Sequence, residues 1–233
     1  MATSAPSLPD AVVFDLDGTL VDSVEDIATA LGHTFAAAGL LPFDAATVKT
    51  MVGGGSRRLI ERALAARGEA AASDRIDALT ADFERHYVAA PCERTRVFPG
   101  AVALLAELAS HRVNLGLCTN KAGAVTHRML ALLELDRFFP VVVTGSDGLA
   151  KKPDPAMLTA TLARLGAQPG RSVMLGDSAA DVGTARGAGC PVLLVSFGYS
   201  AKPARELGAD AVIDDFAEAV PALGRLVRTA GLK

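Results

Sequence analysis

Five short apolar runs punctuate the chain, at residues 11–14, 113–118, 141–143, 172–175 and 192–195, and each ends in polar or turn-forming residues. Their hydrophobicity is continuous rather than alternating, as expected of strands covered on both faces of a parallel sheet. Between them, residues 101–110, 121–133, 154–165 and 179–187 carry apolar side chains at three- and four-residue spacing, which predicts helices. Strand and helix in alternation imply βαβ units and a doubly wound α/β core. The stretch from about 208 to 233 reads as one last short strand and helix, with Asp214 and Asp215 solvated.

One interval breaks the alternation. Between Ser23 and Arg96 no run reads as a strand. Ser23, with Asp26 three residues on, has the spacing of a helix N-cap, and Val24, Ile27, Leu31 and Phe35 follow as a stripe ending at Gly39. Residues 56–67 and 73–89 predict two further helices. A crossover needs only a dozen or so residues, so this interval is expected to be an inserted helical subdomain. The chain then divides into an α/β core of residues 1–22 and 97–233 and a helical cap of residues 23–96.

Composition narrows the function. Half of the 233 residues are hydrophobic, enough for a substantial core, and 44 alanines favour helix. Tryptophan is absent, aromatic residues are 5%, and the net charge is −3, which offers neither stacking platforms nor a basic patch for nucleic acid or an anionic membrane. Cys92, Cys118 and Cys190 have no metal-ligand or disulfide spacing and read as small buried hydrophobes in a reducing cytoplasm. The first ten residues show no signal peptide, and no apolar stretch is long enough to span a membrane. The expectation is a cytoplasmic protein, monomer or homodimer. His33, His86, His111 and His127 fall on unrelated helices and read as surface or packed residues, and Met51, Met129, Met157 and Met174 as core.

In an open α/β sheet, ligands bind beyond the carboxyl ends of the strands. Four strand ends here carry Asp15-Leu16-Asp17-Gly18-Thr19, Thr119-Asn120, Lys151-Lys152-Pro153 and Gly176-Asp177-Ser178-Ala179-Ala180-Asp181. By the chain's own composition, an accidental D-x-D-G-T has odds below about 1%. Three converging carboxylates, Asp15, Asp17 and Asp177, repel one another and imply a hard, oxygen-preferring cation, Mg²⁺ above all. These segments resemble, one by one, the four motifs of the haloacid dehalogenase superfamily of phosphohydrolases over residues 11 to 200. The run Phe-Asp-Leu-Asp-Gly-Thr-Leu-Val-Asp-Ser at 14–23 and the Gly-Asp-Ser at 176–178 are similar to its phosphoglycolate phosphatase branch, whose helical cap follows the first motif.

The resemblance implies roles. Asp15 would be the nucleophile of an aspartyl-phosphate mechanism and a metal ligand. Asp17 would be the general acid and base, with its backbone carbonyl on the metal. Thr119 and Lys152 would bind the transferring phosphoryl group, with Asn120 orienting nearby. Asp177 would ligate the metal directly, and Asp181 would reach it through water or serve only as a helix-start charge. In the cap, Gly54 with Arg57 and Arg58 would approach an anionic substrate, or form a plain turn followed by a solvated face. The expected activity is Mg²⁺-dependent hydrolysis of a small phosphorylated metabolite, 2-phosphoglycolate first. The rivals are a phosphatase for a sugar phosphate, nucleotide or pyrophosphate, a β-phosphoglucomutase-like phosphotransferase, and, from another class, a receiver-like phospho-acceptor module.

Overall fold

A computed structural model describes residues 8–230; the first seven residues of the segment read for targeting signals, and residues 231–233 of the stretch expected to form a last strand and helix, lie outside it. Six parallel strands form one sheet in the order β5-β4-β1-β6-β7-β8: β1 (Ala11–Phe14), β4 (Asn114–Cys118), β5 (Val141–Val143), β6 (Ser172–Gly176), β7 (Val192–Val195) and β8 (Ala211–Ile213). Every residue of β1 is fully buried, because the strand is bonded to β4 on one side and β6 on the other. Val12 and Phe14 point to one face with α5 (Ala101–Ser110), α6 (Gly123–Leu132) and α9 (Ala219–Ala230). Ala11 and Val13 point to the other, with α7 (Ala156–Leu165) and α8 (Ala179–Ala188). This is the expected doubly wound α/β fold.

The predicted strands and helices are present with ends moved by one or two residues, and each shift has a local cause. Helix α6 begins at Gly123 rather than 121, because Lys121 and Ala122 complete the loop after β4 and Ser146 Oγ accepts from Gly123 N. Helix α7 begins at Ala156, since Pro153 and Pro155 interrupt the approach and Asp154 accepts from Ala156 N.

Between Asp22 and Arg96 the chain forms four helices: α1 (Val24–Ala37), α2 (Ala45–Lys49), α3 (Ser56–Ala66) and α4 (Ser73–Ala89). The short α2 has no counterpart in the sequence pattern and is capped by Asp44, which accepts from Thr47 N. Two short strands, β2 (Val21–Asp22) and β3 (Arg96–Val97), pair antiparallel where the helical segment leaves and rejoins the sheet. Arg96 was expected to lie outside any strand; the pairing with Asp22, which the sequence pattern does not show, puts it in one. One continuous apolar cluster runs from Val12, Phe14 and Leu117 through Leu16 and Leu20 to Ile27, Leu31, Ile60 and Phe83, so the helical segment is packed on the sheet and not tethered beside it.

The expected capping pair at the start of α1 is not formed. Ser23 makes no side-chain cap; its hydroxyl donates to Asp17 instead. Asp26 is buried and turned to the returning chain, where it accepts from Arg94 N, Thr95 N (2.7 Å) and Thr95 Oγ1 (2.6 Å). A single carboxylate thus fastens the end of the helical segment to its beginning. Asp26→Ala strands those donors, Thr95 among them fully enclosed, and is expected to cost about 2–4 kcal/mol in urea unfolding. Asp10→Ala, which removes an exposed pair with Arg171, is the control, at about 0.2–1 kcal/mol.

Candidate functional site

Parallel strands deliver their following loops to the same edge of the sheet. Phe14 is level with Leu117 on β4 and Leu175 on β6, so Asp15, Thr119 and Asp177 are neighbours one or two residues later. They open onto a cavity of about 230 Å³ between this edge and the helical segment, lined by Asp15, Asp17, Thr119, Asn120, Lys121 and Asp177 on one side and by Gly53, Gly55, Ser56, Arg62 and Tyr87 on the other.

The loop from β1 turns at once, with Asp15 Oδ1 accepting from Leu16 N at 2.7 Å. The same oxygen lies 2.9 Å from Lys152 Nζ. Among the described residues, Oδ2 of Asp15 receives no hydrogen bond and is left to the cavity. Burial raises the Asp15 carboxyl to about 6, against the pull of Lys152. Lys152 is itself enclosed, its side chain 1% exposed, and its Nζ also donates to Asp181 Oδ1 at 2.7 Å. Burial works against that ammonium, but Asp15 and Asp181 together outweigh it and raise its pKa.

Asp181 lies in the first turn of α8 with both oxygens engaged: Oδ1 on Lys152, Oδ2 accepting from Asp177 N, Ser178 N and Ser178 Oγ. It therefore caps the helix and fixes the lysine at once. Asp177 is held by Tyr199 N on Oδ2 at 2.6 Å, and burial, then the charges of Asp181 and Asp15, push its carboxyl well above the ordinary range. Two glycines make room for it. A Cβ on Gly198 would sit 2.2 Å from Asp177 Cβ, and one on Gly18, where φ is +80°, would sit 2.5 Å from Asp177 Oδ2.

Carboxylate oxygens of Asp15, Asp177 and Asp181 lie within 4.8 Å of one another. Three acidic side chains so close, with one lysine among them, form an oxygen donor set whose excess negative charge fits a hard divalent cation. Asp17 stands apart from this group. Its carboxylate accepts from Lys121 Nζ (2.9 and 3.1 Å) and from Ser23 Oγ (2.5 Å), on the side toward the helices.

Thr119 is buried at the end of β4, its N–H on Val143 O. Asn120 lines the cavity and is bonded to both of its walls. Its Oδ1 accepts from Lys152 N, and its Nδ2 donates to Lys152 O and Gly53 O, so the amide braces the lysine loop against the helical segment. Nor does the structure bring Gly54, Arg57 and Arg58 into the main cavity; they border a second opening beside Lys151. Arg57 is paired with Glu61 and Asp77, and Arg58 with Glu61, at exposed positions. Spacings of three and four residues along α3 already predict such pairs. The helical side of the cavity instead presents Gly55, Ser56 and Arg62, the last donating to Met51 O and Val52 O.

Four side chains at the site were not read from the sequence: Ser23, Tyr87, Lys121 and Tyr199. The Tyr199 hydroxyl accepts from Ser23 N and donates to Asp22, tying the loop after β7 to the start of the helical segment. A signal was present for three of them. Lys121 directly follows Thr119-Asn120 in a chain with six lysines, and Tyr87 and Tyr199 are its only tyrosines.

Comparison with known proteins places this geometry. The haloacid dehalogenase-like hydrolase family profile matches residues 12–195. The phosphoglycolate phosphatase of Rhodospirillum rubrum is 47% identical over 216 residues, covering 90% of this chain and 89% of that protein. That of Agrobacterium fabrum is 40% identical over 95% of this chain and 94% of its own length. Among solved structures, a predicted phosphoglycolate phosphatase from Haemophilus somnus superposes with a TM-score of 0.83 at 27% identity, covering 91% of this chain and 97% of that one.

Proposed function

Because the chain belongs to the haloacid dehalogenase-like hydrolase family and is a phosphomonoester hydrolase within it, we propose that it converts 2-phosphoglycolate to glycolate and phosphate, with Mg²⁺ and through an aspartyl-phosphate. One arrangement carries this function: Asp15 presents a free carboxylate oxygen to the cavity with Lys152 fixed on the other, and Asp17 faces the same space two residues later.

Asp15 Oδ2 attacks phosphorus, the bond from phosphorus to the ester oxygen breaks, and Asp17 gives its proton to the departing alkoxide. Water then attacks the acyl phosphate, Asp17 takes its proton, and phosphate leaves with Asp15 restored. Lys152 and Thr119 place an ammonium and a hydroxyl toward the phosphoryl oxygens, where negative charge must be stabilised during transfer. Asp15 and Asp177, with the Asp17 main-chain carbonyl, would hold Mg²⁺, which when bound offsets the carboxylates and polarises the phosphoryl group. The helical segment acts as a cap that excludes bulk water.

That these relatives are phosphoglycolate phosphatases supports the substrate, and so does the far wall of the cavity. Ser56 opens α3 with its side chain toward the cavity and, among the described residues, its hydroxyl makes no hydrogen bond. A helix N-terminus beside that hydroxyl is a seat for a carboxylate. The test is phosphate release, with Mg²⁺ and with chelator, across 2-phosphoglycolate, hexose phosphates, nucleotides and pyrophosphate. The expected result is metal-dependent release with the highest kcat/KM on 2-phosphoglycolate. A preference for another ester overturns the substrate and keeps the chemistry; no metal-dependent release overturns both.

A further inference from the structure

The scheme above leaves one enclosed ammonium without a task. The Lys121 side chain is 5% exposed, and its Nζ reaches both oxygens of Asp17 and donates to the Tyr87 hydroxyl at 2.7 Å. Taking an ammonium out of water costs several kcal/mol and is recovered only through well-made bonds. Lys121 spends those bonds on Asp17 and on Tyr87 of α4. Burial, followed by the Asp17 charge, holds the Tyr87 phenol well above its ordinary pKa, so it stays a neutral acceptor for the lysine.

The arrangement has a geometric consequence. A carboxyl on a short side chain rotates freely unless both oxygens are held. Ser23 Oγ donates to Oδ1 of Asp17, and Lys121 spans both oxygens from the loop after the neighbouring strand β4. Three segments therefore set one carboxyl: the start of α1, the loop after β4, and α4 through the lysine.

We propose that Lys121, seated on the Tyr87 hydroxyl, is a positioning residue that holds the Asp17 carboxyl where it delivers its proton to the leaving alkoxide. This role presupposes that Asp17 is the acid assigned above. Tyr87 belongs to the helical segment, so Lys121 has this seat while that segment rests against the sheet edge.

Leaving groups separate positioning from mere folding. An alkoxide must be protonated as it departs, whereas p-nitrophenolate leaves without help. Single-turnover release of the leaving group isolates the first step. In Lys121→Met, release from 2-phosphoglycolate (or glycerol phosphate, should the panel reject the former) is expected to fall ~100-fold, and from p-nitrophenyl phosphate less than ~10-fold. Lys121→Arg recovers part of the alkyl-ester rate, and Tyr87→Phe, which keeps the fold's apolar packing, shows the same selectivity at about 10-fold. Asp17→Asn runs alongside. If Asp17→Asn lowers both esters equally, the acid assignment falls and the positioning role with it. If Asp17→Asn is selective but Lys121→Met and Tyr87→Phe lower both esters equally, or only raise KM for the anionic ester, the positioning role alone is overturned.

Discussion

Asp15→Asn abolishes turnover and leaves the metal-free protein more stable than the wild type at neutral pH. The catalytic half follows from chemistry: an amide does not form the acyl phosphate, and loss of a nucleophile of this kind lowers kcat by about 10⁴-fold or more. The stability half follows from the enclosed carboxyl. Burial raises its pKa from 3.8 to about 6, so the folded chain holds this proton more tightly than the unfolded chain. The stabilisation from that proton is fully present below the unfolded pKa and is lost as pH rises through about 6. At pH 7 the wild type carries the ionised group at a cost of up to about 3 kcal/mol, whereas asparagine fills the same volume without titrating. Lys152 keeps Asp181 as partner in the variant. Urea unfolding in chelator at pH 5 and pH 7.5 should show the variant's advantage growing with pH. An advantage that is flat with pH, or near-normal turnover, would falsify the assignment.

The second large effect belongs to Lys152→Met. Methionine matches the volume but leaves Asp15 and Asp181 facing each other, both out of water and unpaired. Breaking a buried pair in this way costs about 3–5 kcal/mol. The raised pKa of Lys152 keeps the wild-type ammonium charged throughout the neutral range, so the lysine itself contributes no slope there. The variant adds to the slope that Asp15 already gives the wild type: its stranded carboxyls take up protons more readily as pH falls, and its deficit narrows toward pH 5. Adding Asp15→Asn to Lys152→Met removes one of the two facing negative charges and should return part of the loss, a coupling measurable in a double-mutant cycle. Turnover falls in the single variant by about 10²–10⁴-fold, since phosphoryl charge loses its fixed counterpart.

The sheet and its chemistry were legible for one shared reason. A strand buried on both faces writes an uninterrupted apolar run, and the residue that ends it stands at the sheet edge where ligands gather. Asp15, Thr119 and Asp177 could be placed together from that rule alone. The helical side was less legible because its contacts are set by partners far along the chain. Asp26 has the spacing of a capping residue, yet its partners are Arg94 and Thr95, nearly seventy positions away. Arg57 and Arg58 carry charge suited to an anion, yet Glu61 and Asp77 claim them first. Lys121 escaped assignment for the opposite reason: periodicity placed it on a helix, and only the loop after β4, extended by two residues, turns it toward Asp17.

The ribbon of β2 and β3 has a consequence for how such a protein can change. Val21 lies directly opposite Val97, so the chain departs from the sheet and comes back to it at a single point. Whatever lies between these two residues has its loop-closure cost set by the ribbon, and that cost grows only slowly with length. Segments of other sizes and shapes can therefore be exchanged there while the hydrolytic residues at the strand ends stay in register. Selectivity can then change on the far side of that two-residue ladder, provided the new segment keeps a hydroxyl where Tyr87 seats Lys121.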